Sequence, residues 1–153
     1  MTRRIRLTTP VWPLRGAFTI SRGSKTETRT VVVEIAEGGA SGHAECTPYP
    51  RFDETVEGVL AQIRAIEADL AAGMDRAALA QRLPAGAARN AVDCALWDLE
   101  AKQAGRPVWM LAGLEPPGPI VTAFTLSLDT PERMGDEARA NAGRPLLKLK
   151  LNG

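Results

Sequence analysis

Two lysines, Lys148 and Lys150, flank Leu149 near the carboxyl end of a chain of 153 residues. In a strand, residues two apart share a face, so both ammonium groups point one way while Leu147, Leu149 and Leu151 point the other. Both faces of a parallel strand are ordinarily apolar, and a pair of lysines on one of them needs an explanation. An exposed edge strand is one. The other is a pair of cations at the mouth of a barrel, where mutual repulsion raises the fraction present as neutral amine, a proton-abstracting base. Arg22, in a glycine-containing stretch with Lys25, has the planar fork that grips a carboxylate through two parallel hydrogen bonds, although exposed loop arginines are mostly solvated. Tyr49 lies between Pro48 and Pro50, a stiff setting that suits a lid over a site and equally a plain corner. His43 is the only histidine. A multi-histidine metal centre is therefore excluded, any Ser-His-Asp triad would have to use His43 itself, and a structural role is the simpler reading. Cys94 falls inside an apolar helical pattern and reads as packing rather than as a nucleophile.

These residues must be held by surrounding elements, and the central one is the stretch from Pro84 to Val108. Pro84 and Gly86 open it, Gly105 and Pro107 close it, and nothing between breaks a helix of about five turns. Ala88, Ala91, Val92, Ala95 and Leu99 form one stripe, with Ala87, Cys94, Trp97 and Ala101 on other sides, so neighbours must largely wrap this helix. Arg89/Asp93 and Asp98/Lys102 stand at the spacing of helical ion pairs. Before it, alternation predicts a strand over residues 1–12, a loop over Pro13 to Lys25, a strand from Thr28 to Ile35, a hairpin turn at Glu37-Gly38-Gly39 and a strand ending at Cys46. That is a three-stranded antiparallel meander. Asp53 can cap a helix whose buried face carries Val56, Val59, Leu60, Ile63, Ile66 and Leu70, and a shorter helix runs over Arg76 to Leu83. After Gly118 the pattern becomes strand (Ile120 to Leu128), helix (Pro131 to Ala142, capped by Thr130) and strand (Pro145 to Leu151), one βαβ unit. A lone βαβ unit leaves a sheet edge uncovered, so the sequence reads as truncated.

Hydrophobic residues at 44% and charged ones at 24% are ordinary globular values, and a formal charge of +1 gives no electrostatic reason to expect nucleic acid or an anionic membrane as partner. With two cysteines and no apolar signal stretch before the first strand, both thiols read as reduced, in a cytosolic protein.

Three stretches together resemble one family: Ser21-Arg22-Gly23-Ser24, Glu45-Cys46-Thr47-Pro48-Tyr49-Pro50-Arg51, and the helix from Ala85 to Leu99. They are similar to the amino-terminal part of the L-Ala-D/L-Glu epimerases, dipeptide epimerases of the enolase superfamily and its muconate-cycloisomerase-like subgroup, over essentially the whole chain. The resemblance implies an α+β capping domain over residues 1–113 and, over residues 114–153, the first strands of a (β/α)-barrel, incomplete because such barrels take about 250 residues. It implies that Lys150 is one of two acid/base catalysts and that Lys148 supports the substrate carboxylate electrostatically. Arg22 would bind the glutamate side-chain carboxylate, Tyr49 would belong to a loop that closes over substrate, and Thr125 would contact substrate.

The implied partner is a small dipeptide and the implied cofactor Mg²⁺, with its carboxylate ligands and the opposing lysine on later barrel strands; no metal ligand is assigned within these residues. The expected reaction of the complete protein is epimerisation through a Mg-stabilised ene-diolate, suited to recycling cell-wall peptide, with this segment inactive by itself. Assembly as a homo-oligomer stays open. The alternatives are an N-acylamino-acid racemase, an o-succinylbenzoate synthase or a cycloisomerase, or a non-catalytic fragment that pairs with another chain.

Overall fold

The computed structural model describes residues 2–152; Met1, which the first predicted strand includes, and Gly153 lie outside them. Seven strands and six α-helices are present among the described residues. The strands are β1 (Arg4–Thr8), β2 (Val11–Ile20), β3 (Gly23–Arg29), β4 (Val31–Glu37), β5 (Ala40–Cys46), β6 (Phe124–Leu126) and β7 (Leu147–Leu149). The helices are α1 (Val56–Ala65), α2 (Glu67–Ala71), α3 (Arg76–Arg82), α4 (Ala87–Ala104), α5 (Val108–Leu111) and α6 (Pro131–Ala140), with a 3-10 turn at Pro50–Phe52. None is long and apolar enough to cross a membrane. They fall into two compact units: one holds the chain up to Val11 with Arg29–Pro116, the other Trp12–Thr28 with the chain from Pro117 onward.

In the first unit β1, β4 and β5 form an antiparallel sheet with β4 at its centre. Period-2 alternation puts Val31, Val33 and Ile35 on one face, and all three are fully buried. Gly38 and Gly39, at φ 60° and 84°, make the two-residue turn between β4 and β5, a conformation that glycine adopts without steric cost. α4 lies on the buried face through Ala88, Ala91, Val92, Ala95, Leu96 and Leu99, all buried. The approach is tightest at Gly42, where a Cβ would stand 2.1 Å from the Ala95 carbonyl oxygen. Only glycine leaves room for the helix there.

Several sequence expectations are corrected by this unit. The cap of α1 is Thr55, whose side chain accepts from the Gly58 N–H at 3.0 Å, not Asp53. Asp53 donates its own N–H to the Pro50 carbonyl and sits at φ 56°, closing the 3-10 turn, so it stands outside capping geometry. The predicted helical face is buried at Val59, Ile63, Ile66 and Leu70 and half-buried at Val56 and Leu60, but the helix breaks at Ile66 into α1 and α2. Arg89 donates to the carbonyls of Ala80 and Leu83, satisfying the end of α3, instead of pairing with Asp93. Asp98 and Lys102 do pair, at 2.7 Å. Cys94 is exposed, so α4 is covered on its sheet side and at Trp97, where the Arg76 guanidinium lies 3.3 Å from the ring centroid, but is open at Cys94.

The second unit overturns the loop expected over Pro13 to Lys25. Those residues are the arms of a two-stranded hairpin, β2 with β3, joined by a turn at residues 21–22. The strand expected over residues 1–12 is accordingly divided, ending at Thr8 and giving way to β2 at Val11. The βαβ unit is present as expected, with β6 and β7 parallel and Thr130 capping α6 through the Arg133 N–H at 3.4 Å, although both strands are shorter than the pattern suggests. Leu126 and Met134 are its buried residues.

Candidate active site

β6 organises the second unit. It pairs with β7 in the register Phe124↔Leu147, Thr125↔Lys148, Leu126↔Leu149, which sets Thr125 beside Lys148. Directly aligned residues of a parallel pair point to the same face, and alternation gives that face to Thr125 and Lys148 while Phe124 and Leu126 take the other. Arg144 stacks on the Phe124 ring at 3.9 Å. Lys150 follows the last residue of β7; its N–H donates to the Leu126 carbonyl at 3.2 Å, continuing the ladder. Lys148 is exposed and Lys150 half-buried, so the two cations of one face have different surroundings.

Arg22 is exposed in the β2–β3 turn of the same unit. Across the base of that turn the Thr19 and Ser24 hydroxyls are 2.9 Å apart, while the Lys25 ammonium is directed to the Thr28 hydroxyl at 3.5 Å. The hairpin is seated on the end of β6. Ser127 Oγ donates to the Ala17 carbonyl at 3.2 Å and accepts from the Thr19 N–H at 3.4 Å, and the Leu128 N–H donates to the Thr19 carbonyl at 3.0 Å. Nothing in the sequence singles out Ser127 or Thr19, since neither lies on a buried stripe and their partners are 108 residues apart.

Tyr49 belongs to the first unit. It precedes the 3-10 turn, and its ring meets that of Phe52 edge-on at 5.7 Å. Its N–H donates to Glu54 Oε2 at 3.1 Å, while Glu54 Oε1 accepts the Ala87 N–H at 2.6 Å, the first residue of α4. Gly86, at the cap position, has no side chain to offer that N–H; Glu54 supplies the acceptor, and a carboxylate there also meets the positive end of the helix dipole. Phe52, 68% exposed, and Glu54 are features that the sequence reading missed.

Three further features belong to the first unit. His43 lies on the outer face of the sheet, its Nε2 3.9 Å from Glu34 Oε2 and its main-chain N–H on Asp98 at 2.7 Å. Burial pushes the Cys46 thiol up to about 11, so at neutral pH it carries no thiolate. An open groove of about 450 Å³ in the first unit is lined by Ala80, Gly86, Arg89, Asn90 and Asp93, but its one cation is engaged with the two carbonyls of α3. Among the described residues, no group of three or more His, Cys, Asp or Glu could hold a metal ion.

A sheet-and-helix unit is thus followed in the chain by one parallel βαβ unit, with one lysine on its second strand and another directly after it. Residues 2–113 match the model of the mandelate racemase / muconate lactonizing enzyme N-terminal domain, and the chain belongs to that family. It is 45% identical over 152 residues to the L-Ala-D/L-Glu epimerase of Escherichia coli (strain K12), an alignment covering 98% of this chain and 47% of that protein. The N-acetyl-D-glutamate racemase of a Pseudoalteromonas species is 43% identical over 124 residues, 80% of this chain and 39% of the relative. Among solved structures, an enolase-family protein of Agrobacterium tumefaciens with homology to dipeptide epimerases, holding sodium and L-Ala-L-Glu, superposes with a TM-score of 0.93 at 48% identity, over 98% of this chain and 46% of that one. A dipeptide epimerase of Methylococcus capsulatus, complexed with Mg and L-Arg-D-Lys, gives 0.84 at 30% identity, over 100% and 47%. The chain thus spans about half the length of the curated relatives that it matches in E. coli and Pseudoalteromonas.

Proposed function

We propose that the whole protein epimerises the α-carbon of glutamate in dipeptides of the L-Ala-D/L-Glu type, in the cytoplasm, as a step in the turnover of cell-wall peptide. Lys150 removes or returns the α-proton on one face, and a second base outside these residues serves the other. Lys148 steadies the negative charge that develops on the adjoining carboxylate, Arg22 takes the glutamate side-chain carboxylate bidentately, and Thr125 and Tyr49 contact the peptide. The observation that carries the reading is the common seat of two of these parts: the strand leading to Lys150 and the hairpin bearing Arg22 are both hydrogen-bonded to β6 or the residues directly after it. The same reading divides the chain into a capping domain over residues 1–113 and the start of a barrel over residues 114–153.

Magnesium is named for the Methylococcus capsulatus relative, but the described residues do not fit a magnesium site by themselves, since they bring no three candidate ligands together. The carboxylates would come from other parts of the whole protein, and the 153 residues alone are expected to be inactive. Proton NMR of L-Ala-L-Glu in deuterated water tests the activity: the α-proton signal of glutamate should fade as the diastereomer appears. An intact signal under conditions where a known dipeptide epimerase turns over would overturn the proposal.

The second reading, an N-acylglutamate racemase, is favoured by the Pseudoalteromonas relative. Both substrates are glutamates acylated on nitrogen, so the α-carbon chemistry and the demand on Arg22 are shared. They differ in the acyl group, where alanine adds a free amino group and a methyl to the carbon that is a plain methyl in acetyl. Higher kcat/KM on N-acetyl-L-glutamate than on L-Ala-L-Glu would select this second reading.

A further inference from the structure

We infer that Ser127 is a positioning residue for substrate selection: by seating the hairpin on the end of β6, its hydroxyl sets where Arg22 stands with respect to Lys150. The inference rests on the epimerase reading and adds to it a residue that touches neither the substrate nor the proton in flight.

The geometry runs along a short hydrogen-bonded path. Lys150 is attached to β6 through the Leu126 carbonyl, and Ser127 is the next residue. Its hydroxyl uses both of its capacities on the hairpin, donating to Ala17 and accepting from Thr19. Thr19 then spans the turn to Ser24, and Arg22 lies between those two. A hydroxyl can donate and accept at once, whereas alanine can do neither, so Ser127→Ala removes two of the three bonds of the seat. The bond from the Leu128 N–H to Thr19 and the buried side chain of Leu126 remain, so the variant keeps its hairpin attached but free to rock. Because Arg22 is at the tip, a small rotation at the seat becomes a larger displacement of the guanidinium, and a bidentate pair tolerates little displacement.

Kinetics on the whole enzyme decide it, with L-Ala-L-Glu compared against L-Ala-L-Met, which has no side-chain carboxylate. Ser127→Ala should raise KM for L-Ala-L-Glu about tenfold, the scale that two neutral hydrogen bonds allow, with kcat nearly unchanged, and should leave L-Ala-L-Met unaffected. Ser127→Thr, which keeps the hydroxyl, should restore the parent values, and in an Arg22→Met background Ser127→Ala should have no further effect. Equal losses on both substrates, or losses that add to those of Arg22→Met, would overturn the proposal.

A wild-type enzyme inactive on both dipeptides would remove the epimerase reading alone. The seat is then judged on the 153-residue chain itself. Ser127→Ala should speed amide exchange at Thr19 and tryptic cleavage after Arg22, and unchanged rates would show that the hydroxyl positions nothing.

Discussion

Lys148, on β7, and Lys150, directly after it, carry different tasks in the proposed reaction, and substitution can separate them. Epimerisation needs a base on each side of the α-carbon, so Lys150→Ala in the whole enzyme should abolish turnover in both directions while solvent deuterium still enters one of the two epimers through the other base. Lys148→Ala should slow deuterium entry from both, because the charge that it steadies is common to the two directions. Proton NMR in deuterated water separates these patterns, and substantial epimerase activity in Lys150→Ala would return the two lysines to a solvated strand face. At this scale the sequence singles out residues whose type stands in a short motif, as in Lys148-Leu149-Lys150 and the Pro-Tyr-Pro loop, and their roles belong to the proposal above. It was silent on Glu54 and Ser127. Each of those acts on main-chain atoms far away in sequence, Glu54 on Ala87 and Ser127 on Thr19, and a main-chain N–H looks the same whatever the residue that bears it.

Elements were legible in proportion to what they bury. α4 and β4 present continuous buried stripes, and their periodicity located both, although the strand expected from Thr28 begins at Val31, with Thr28 and Arg29 in β3, and α4 occupies Ala87–Ala104 within the stretch from Pro84 to Val108. The hairpin of β2 and β3 is mostly exposed, so its side chains carry no alternation, and Gly16, Gly23 and the scattered cations read as loop. The close passage of β5 against α4 gives a sharp test. Gly42→Ala places a methyl group against the Ala95 carbonyl and Leu99, and the fold should lose about 3 kcal/mol in denaturant titration.

The same sheet and helix are tied by carboxylates with a predictable pH signature. Burial tends to raise Asp98 from its usual 3.8, but this is outweighed by the Lys102 hydrogen bond, the His43 N–H and the nearby positive charge, which together lower it. Glu37 is lowered from 4.5, first by its hydrogen bond from Gln103, against the opposing effect of burial, with help from Arg3. In both cases the unfolded chain binds protons more readily, so these groups contribute stability in full above pH about 5 and lose it as pH falls through and below their usual values. Lys102→Met should flatten that acid limb; an unchanged limb would show that the Asp98 pair contributes nothing measurable.

At the scale of the whole molecule, the two units differ in how they are supported. The first closes a continuous apolar core between its sheet and helices. The second has few buried residues, and Leu149 and Leu151 of its last strand region are 51% and 66% exposed. Hydrogen exchange on the 153-residue chain should therefore be slowest in β4 and α4 and much faster over Leu147–Leu149, and slow exchange in that last strand in a monodisperse monomer would show that it is held by more than its pairing with β6.

The Glu54 bridge bears on where the chain can change its length. From Tyr49 to Glu54 the backbone leaves a carboxylate and returns to it, and the same carboxylate is fixed to the start of α4. An extra residue inside that circuit would have to release Tyr49 or uncap the helix, so the segment can hardly grow. At the hairpin tip, residues 21–22, the arms are bridged by an exposed pair of hydroxyls, and an added residue there would shift Arg22 itself. Natural relatives should accordingly keep a constant count from Tyr49 to Glu54.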